Sequence, residues 1–312
     1  MLPLLITPGD AAGIGPEVAL RAANILDGRY PLAFVGPAWL WQNTAKLFSL
    51  PVPSQIIAVE SLQSFSTVDI SFGELSPSFG TIAVESVKKA ATLCLAGKAA
   101  GIVTAPLTKA GIHAAGYSYA GHTDLLADIT ATPVHAMMMS GNKLRVVLVT
   151  HHQSLASVPA ALSSDSILSV IRLAHEAGIR LDLPAPRIAV CGLNPHCGED
   201  DAFGSEERTI LIPAIKEAVS RSINASGPYP ADSIFQRAQR NEFDFVIALY
   251  HDQGLIPVKL AGFSDVVNTT LGLPFVRTSP GHGSAYDIAG TGHANPSSML
   301  AAIEMAAALT TV

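Results

Sequence analysis

Short apolar runs that alternate with alanine-rich stretches of helical length constrain this chain more than any other feature. Residues 2–6 lead into 13–23, and 32–35 lead into 38–48. Residues 101–104 follow the helix-like stretch 80–96, and 144–150 precede 164–177. Residues 187–193 precede 210–222, and 244–249 follow 232–241. Apolar runs of this length suit strands buried on both faces, and strand–helix alternation predicts a largely parallel sheet flanked by helices. In such sheets ligands bind beyond the carboxyl ends of the strands. With 312 residues, 49% of them hydrophobic, the chain can fill more than one compact lobe. No repeat, low-complexity segment or charged linker divides it, so two lobes are expected to exchange the chain.

Several partner classes are disfavoured. A formal net charge of -6, with no basic run, argues against nucleic acid and anionic membranes as partners. The apolar runs are too short to span a bilayer. The first residues, MLPLLI, lack a basic region and a cleavage site, and so read as a strand rather than a signal peptide. Cys94, Cys191 and Cys197 have no metal-ligand spacing, which fits a reduced, cytoplasmic setting.

Three strand-like runs end in histidine. Residues 144–150 end in His151-His152, 188–193 in Asn194-Pro195-His196, and 246–249 in Tyr250-His251-Asp252. A strand-end histidine on its own is most simply a hydrogen-bonding residue. Three at equivalent topological positions also suit a divalent metal, because neutral imidazoles leave open positions for substrate oxygens. Adjacent strand residues point to opposite faces, so only one of His151 and His152 is expected to face such a site. After Leu249 the polar segment YHDQGLIPVK reads as a turn permitted by Gly254, with Lys259 as a nearby cation.

Glycine-rich segments follow other strands. TPGDAAGIGPE (7–17) opens a helix but lacks the G-x-G-x-x-G spacing of a regular dinucleotide site. GHTD (121–124) puts His122 and Thr123 at a helix start, which suits an anion or simply a threonine cap. Residues 267–296 hold Asn268, Arg277, His282 and Asp287 among many glycines, and read as a loop closing over a phosphorylated or nucleotide ligand.

These segments together with LRVVLVTHH, NPHCGE, GPYPADS, YHDQGLIPVK, VNTTLGLPFVRTS and HGSAYDIAGTG resemble the 4-hydroxythreonine-4-phosphate dehydrogenase family, from residue 5 to the C-terminus. HGSAYDIAGTGHANP is also similar to the cofactor loop of the isocitrate and isopropylmalate dehydrogenases. The resemblance implies a two-domain, isopropylmalate-dehydrogenase-like α/β fold with a mostly parallel sheet and a non-Rossmann cofactor site. It divides the chain into a cofactor-binding domain (1–115 and 263–312) and a metal-binding and dimerisation domain (116–262). It implies a homodimer with active sites at the subunit interface, NAD or NADP as cofactor, and a divalent metal (zinc, cobalt or magnesium).

By the same resemblance His152, His196 and His251 are the metal ligands. His122, Thr123, Lys259, Asn268 and Arg277 bind substrate. Gly281, His282, Gly283 and Asp287 belong to the cofactor loop. Lys259 and Asp232 are the alternative proton carriers. From its position beside His251, Asp252 either orients that ring or is a solvent-facing turn residue. The implied reaction oxidises the secondary hydroxyl of 4-phosphohydroxy-L-threonine and decarboxylates the product to 3-amino-2-oxopropyl phosphate, for pyridoxal 5'-phosphate synthesis. Ala11, Asp124 and Gly281 depart from the usual family residues, and the last of these points to a paralogue. Such relatives act on 4-phospho-D-threonate, 4-phospho-D-erythronate or a cis-dihydrodiol; the GHT segment disfavours the dihydrodiol branch. Outside this resemblance, a metal-dependent hydrolase and a catalytically silent binding protein are the competing classes.

Overall fold

The computed structural model describes residues 2–67, 69–262 and 264–310. Its strands are β1 (Leu4–Thr7), β2 (Leu32–Val35), β3 (Ile56–Ile57), β4 (Gly101–Thr104), β5 (Ala136–Gly141), β6 (Leu144–Leu148), β7 (Ile188–Cys191), β8 (Ala225–Tyr229), β9 (Phe245–Ala248), β10 (Val267–Leu271) and β11 (Val276–Pro280). The chain divides into two compact units, Met1–Pro133 with Leu273–Thr310, and Val134–Gly272. The expected exchange of chain between two lobes is therefore present. The breaks fall after Pro133 and Gly272, whereas the sequence placed them after 115 and 262. Packing explains both differences. The helix His122–Ile129 buries Leu125 and Leu126 in the first unit's core beside Phe79 and Ile82. Strand β10 pairs antiparallel with β5 and so belongs to the second unit.

In the first unit the strands run β3-β2-β1-β4-β11, all parallel. Leu5, Ala33, Val35 and Ile102 bury one face against the helix Pro77–Leu95. The helix Ser297–Thr310 packs on β11.

In the second unit the order is β10-β5-β6-β9-β7-β8. Strands β6, β9, β7 and β8 are parallel, while β5 is antiparallel to both neighbours. The period of two divides the residues cleanly. Val147, Val190, Phe245 and Ile247 face one core with Ile167, Ile171 and Ala174 of the helix Ser164–Arg180. Val146, Leu148, Ala189, Val246 and Ala248 face the other, with Ile234, Leu255 and Val258.

Two local expectations need correction. Residues after Leu249 form no open turn but an α-helix, His251–Ala261, with Pro257 inside it. Gly254 serves contact rather than turning: a Cβ there would lie 2.7 Å from Leu148 Cδ2 and 2.8 Å from Val146 Cγ1. Glycine lets this helix lie directly on β6, and that tertiary packing outweighs low helix propensity. The segment 267–296 is not loop throughout. Its β-branched start forms β10 and β11, and the glycine-rich loop begins only at Gly281.

Candidate active-site residues

Because β6, β9, β7 and β8 are adjacent and parallel, their carboxyl ends share one edge. That edge carries His151 and His152 beyond β6, His251 beyond β9, His196 beyond β7, and Asp232 in the first turn after β8. The rings of His152 and His251 lie 5.8 Å apart, centroid to centroid. Both line a cavity of about 500 Å³ with His151, Tyr250 and Asp252. His151 Nδ1 accepts a hydrogen bond from the His152 amide at 2.9 Å, so that nitrogen is occupied. His251 Nδ1 lies 2.6 Å from Asp252 Oδ1. As donor to that carboxylate, His251 keeps its Nε2 lone pair for a ligand.

His196 stands apart from this pair. It sits in the turn Pro195–Gly198, with φ 50 and ψ 30, beside Phe203. Among the described residues, no three His, Cys, Asp or Glu side chains group closely enough to hold a metal ion. The pair fits two positions of an imidazole-bound metal. Asp232 is near the same turn: its charge and that of Glu207 add to burial in pushing the Cys197 thiol upward. Lys259 is eight residues along the helix from His251, about 12 Å at 1.5 Å per residue, and is exposed. Asn268 lies on β10 opposite Met139, half-buried, with a buried Oδ1 that has no hydrogen-bond partner among the described residues.

A second group lies within the first unit. Arg277, on β11, is 2% exposed and donates to Thr104 Oγ1 from Nε at 3.2 Å and from Nη2 at 2.7 Å. Burial pushes its guanidinium down to about 9, still protonated at neutral pH. His122 opens its helix behind Gly121, which offers no side-chain cap, so Thr123 is not the cap. It is 9% exposed and its Nε2 has no partner among the described residues. Burial first, and the Arg277 charge second, hold His122 well below its ordinary value. A buried cation beside a neutral imidazole with an open nitrogen is the arrangement an incoming anion would satisfy.

The lowered value gives a pH dependence of stability. Folded His122 stays neutral, whereas unfolded His122 takes up a proton below about pH 6.5. The unfolded state then binds more protons, so this contribution is present above that pH and lost as pH falls, by at most about 1.4 kcal/mol per unit. Urea unfolding of wild type and His122→Gln at pH 7.0 and 5.5 is expected to show a smaller pH effect in the variant. Equal pH effects would mean that His122 titrates normally in the fold.

The glycine-rich loop after β11 is tied to the first loop. Gly281 N donates to Ser298 Oγ at 2.9 Å, and Ile14 N donates to Ser284 O at 2.9 Å. A Cβ on Gly13 would meet Ser284 Cβ at 2.7 Å, so this glycine serves loop-to-loop packing. Tyr286 and Thr108 both donate to Asp10 Oδ2, at 2.5 and 2.7 Å. Within the loop, His282 Nε2 is buried with no partner among the described residues, while Gly283 and Asp287 are exposed. These exposed and orphaned groups fit a cofactor-binding surface.

Sequence reasoning missed Thr104, Asp10, Glu207 and the role of Gln253. Asp10 lay within the segment 7–17 already singled out, and Thr104 closes the apolar run 101–104. Glu207 had no local signal, because its partners are thirteen and fourteen residues away.

A family model described as "Pyridoxal phosphate biosynthetic protein PdxA" matches residues 29–306. The 4-hydroxythreonine-4-phosphate dehydrogenase of Desulforapulum autotrophicum is 43% identical, over 98% of this chain and 95% of its own. A protein of Oceanobacillus iheyensis, provisionally named D-threonate 4-phosphate dehydrogenase, is 41% identical over 96% of each chain. The crystal structure of the 4-hydroxythreonine-4-phosphate dehydrogenase of Klebsiella pneumoniae superposes with a TM-score of 0.89 at 38% identity, covering 100% of both chains. A β-decarboxylating dehydrogenase of Thermococcus kodakarensis shares the fold, with a TM-score of 0.54 at 15% identity over 97% of this chain and 82% of that one. The chain belongs to the PdxA family of pyridoxal phosphate biosynthetic proteins.

Proposed function

We propose that this chain is a nicotinamide-dependent dehydrogenase that oxidises the secondary hydroxyl of 4-phosphohydroxy-L-threonine. Loss of CO₂ from the resulting β-keto acid gives 3-amino-2-oxopropyl phosphate, in pyridoxal 5'-phosphate synthesis. The observation that carries the reading is the buried Arg277 beside His122 with its open Nε2, in a chain that matches dehydrogenases of this name over nearly its full length. Arg277 is already anchored by Thr104, so its fork is fixed before a phosphate arrives.

Roles follow for the other residues. His122 donates to a phosphate oxygen, with Thr123 beside it at the helix start. Asn268 orients the amino acid end. His152 and His251, with His196, hold a divalent metal. When bound, the metal would supply charge that lowers the pKa of the hydroxyl, and NAD or NADP would supply the two-electron acceptor. Asp232 takes the hydroxyl proton in the chain that also supplies His196; its place by that turn supports it over Lys259 of the same chain. Lys259 holds substrate. The loop at Gly281, His282, Gly283 and Asp287 carries the cofactor. A homodimer with active sites at the subunit interface suits the helix that begins at His251. Next to Lys259 it exposes Ile256 and Leu260, at 56% and 82%, an apolar pair for a second copy to cover. No helix among the described residues is long and apolar enough to cross a membrane.

The sugar-acid reading rests on the Oceanobacillus iheyensis relative, which is nearly as similar to this chain. Reduction of NAD and NADP is measured with added zinc, cobalt or magnesium on 4-phosphohydroxy-L-threonine, 4-phospho-D-threonate and 4-phospho-D-erythronate. Turnover of the amino acid is expected. Turnover of the sugar acids alone keeps the chemistry and moves the substrate. Phosphate release without nicotinamide reduction would make the protein a hydrolase.

A further inference from the structure

The three strand ends that carry the histidines are joined by a short chain of buried hydrogen bonds. Thr150 Oγ1 donates to Leu249 O at 2.7 Å, linking the end of β6 to that of β9. Leu249 N donates to Gln253 Oε1 at 2.7 Å. Gln253 Nε2 donates to Gly192 O at 2.8 Å, linking the end of β9 to that of β7. The amide can face only one way, because Leu249 offers an N–H and Gly192 a carbonyl. Gln253 is 8% exposed, so neither bond is traded readily for water.

The far end of this chain is a backbone that needs holding. Residues 196 to 201 all have positive φ, and only one of them, Gly198, is glycine. Left-handed backbone costs other residues about 1–2 kcal/mol each. The buried Glu207 holds the segment from one side. Its Oε1 accepts from Leu193 N and Asn194 N at 2.8 and 2.7 Å, and its Oε2 accepts from Asn194 Nδ2 at 2.9 Å. Gln253 holds the same segment from the other side, at Gly192.

We infer that Gln253 is a positioning residue: its side-chain amide sets the spacing between the turn that carries His196 and the helix start that carries His251. Thr150 extends the same spacing to the strand end before His152. Gln253 touches no substrate. Its effect passes through the placement of imidazole donors, and the inference rests on the metal reading above.

The test is metal affinity, measured apart from turnover. Metal-stripped full-length protein is titrated with Co²⁺ and followed by its visible absorption. Gln253→Met keeps the side-chain length and removes both hydrogen bonds. Its Co²⁺ affinity is expected to fall about 10- to 100-fold, the usual cost of losing a group that orients metal ligands. Thr150→Val, a milder change of similar shape, is expected to weaken Co²⁺ binding and to alter the absorption band. Thermal unfolding of the metal-free proteins reports stability separately. If wild type binds Co²⁺ and both variants bind it equally well with the same band, the inference is overturned and the metal reading stands. A stability loss with unchanged Co²⁺ affinity overturns it as well, since it reveals a purely structural bridge. If wild type binds no Co²⁺, the metal reading fails and the inference falls with it. Should Gln253→Met not fold, Thr150→Val decides by the same criteria.

Discussion

Arg277→Met is expected to fold normally, to keep its KM for the nicotinamide cofactor within about twofold, and to lose about 10²- to 10³-fold in kcat/KM for the phosphorylated substrate. Such a loss corresponds to about 3–4 kcal/mol, within the range for removing one partner of a buried, hydrogen-bonded charge pair. A guanidinium at 2% exposure, held by a neutral threonine hydroxyl, has given up most of its hydration. A methionine there would carry no such desolvation cost, so thermal stability without substrate is expected to hold or rise. Arg277→Lys is expected to recover little, since one ammonium cannot bond Thr104 and still present a planar fork to phosphate. Steady-state kinetics with each substrate varied in turn check this. Equal rises in both KM values would place Arg277 in the general architecture of the first unit.

The sequence carried the strands of this fold better than their partners. Residues 32–35 and 101–104 were located to the residue, because an apolar run bounded by proline or glycine leaves few alternatives. Strand β8, ASGPY, was missed because glycine and proline mask it; its pairing with β7 is set by the sheet and not by its own propensity. The helix His251–Ala261 was read as a turn for the same reason. Gly254 and Pro257 are poor helix residues alone, and only the contact with Val146 and Leu148 accounts for the glycine. The candidate site divides along similar lines. Strand-end histidines are visible because their position follows from topology. The side chains that hold them are not, because Gln253 and Glu207 act across strands that the sequence cannot order. The choice between His151 and His152 was open on periodicity alone; the His152 ring lying 5.8 Å from that of His251 supports the proposal of His152.

His251→Ala is expected to lose bound divalent metal and to retain under about 1% of wild-type turnover, because losing a ligand costs more than the 10- to 100-fold of losing a group behind it. His152→Ala is expected to match it, since the two rings lie 5.8 Å apart and line one cavity. Asp252→Asn falls between these variants and wild type. A neutral amide still reaches His251 Nδ1, 2.6 Å away in the native pair, but it no longer favours the tautomer that leaves Nε2 unprotonated. His151→Ala is the contrasting case. Its Nδ1 already accepts the His152 amide, so its loss is expected to change metal content little. Metal analysis after dialysis, run with turnover on the same preparations, ranks the four variants. If His151→Ala is as damaging as His152→Ala, the ligand at the end of β6 is the other histidine. If all four keep metal and turnover, the imidazoles at this edge serve hydrogen bonding alone, and the metal is held elsewhere.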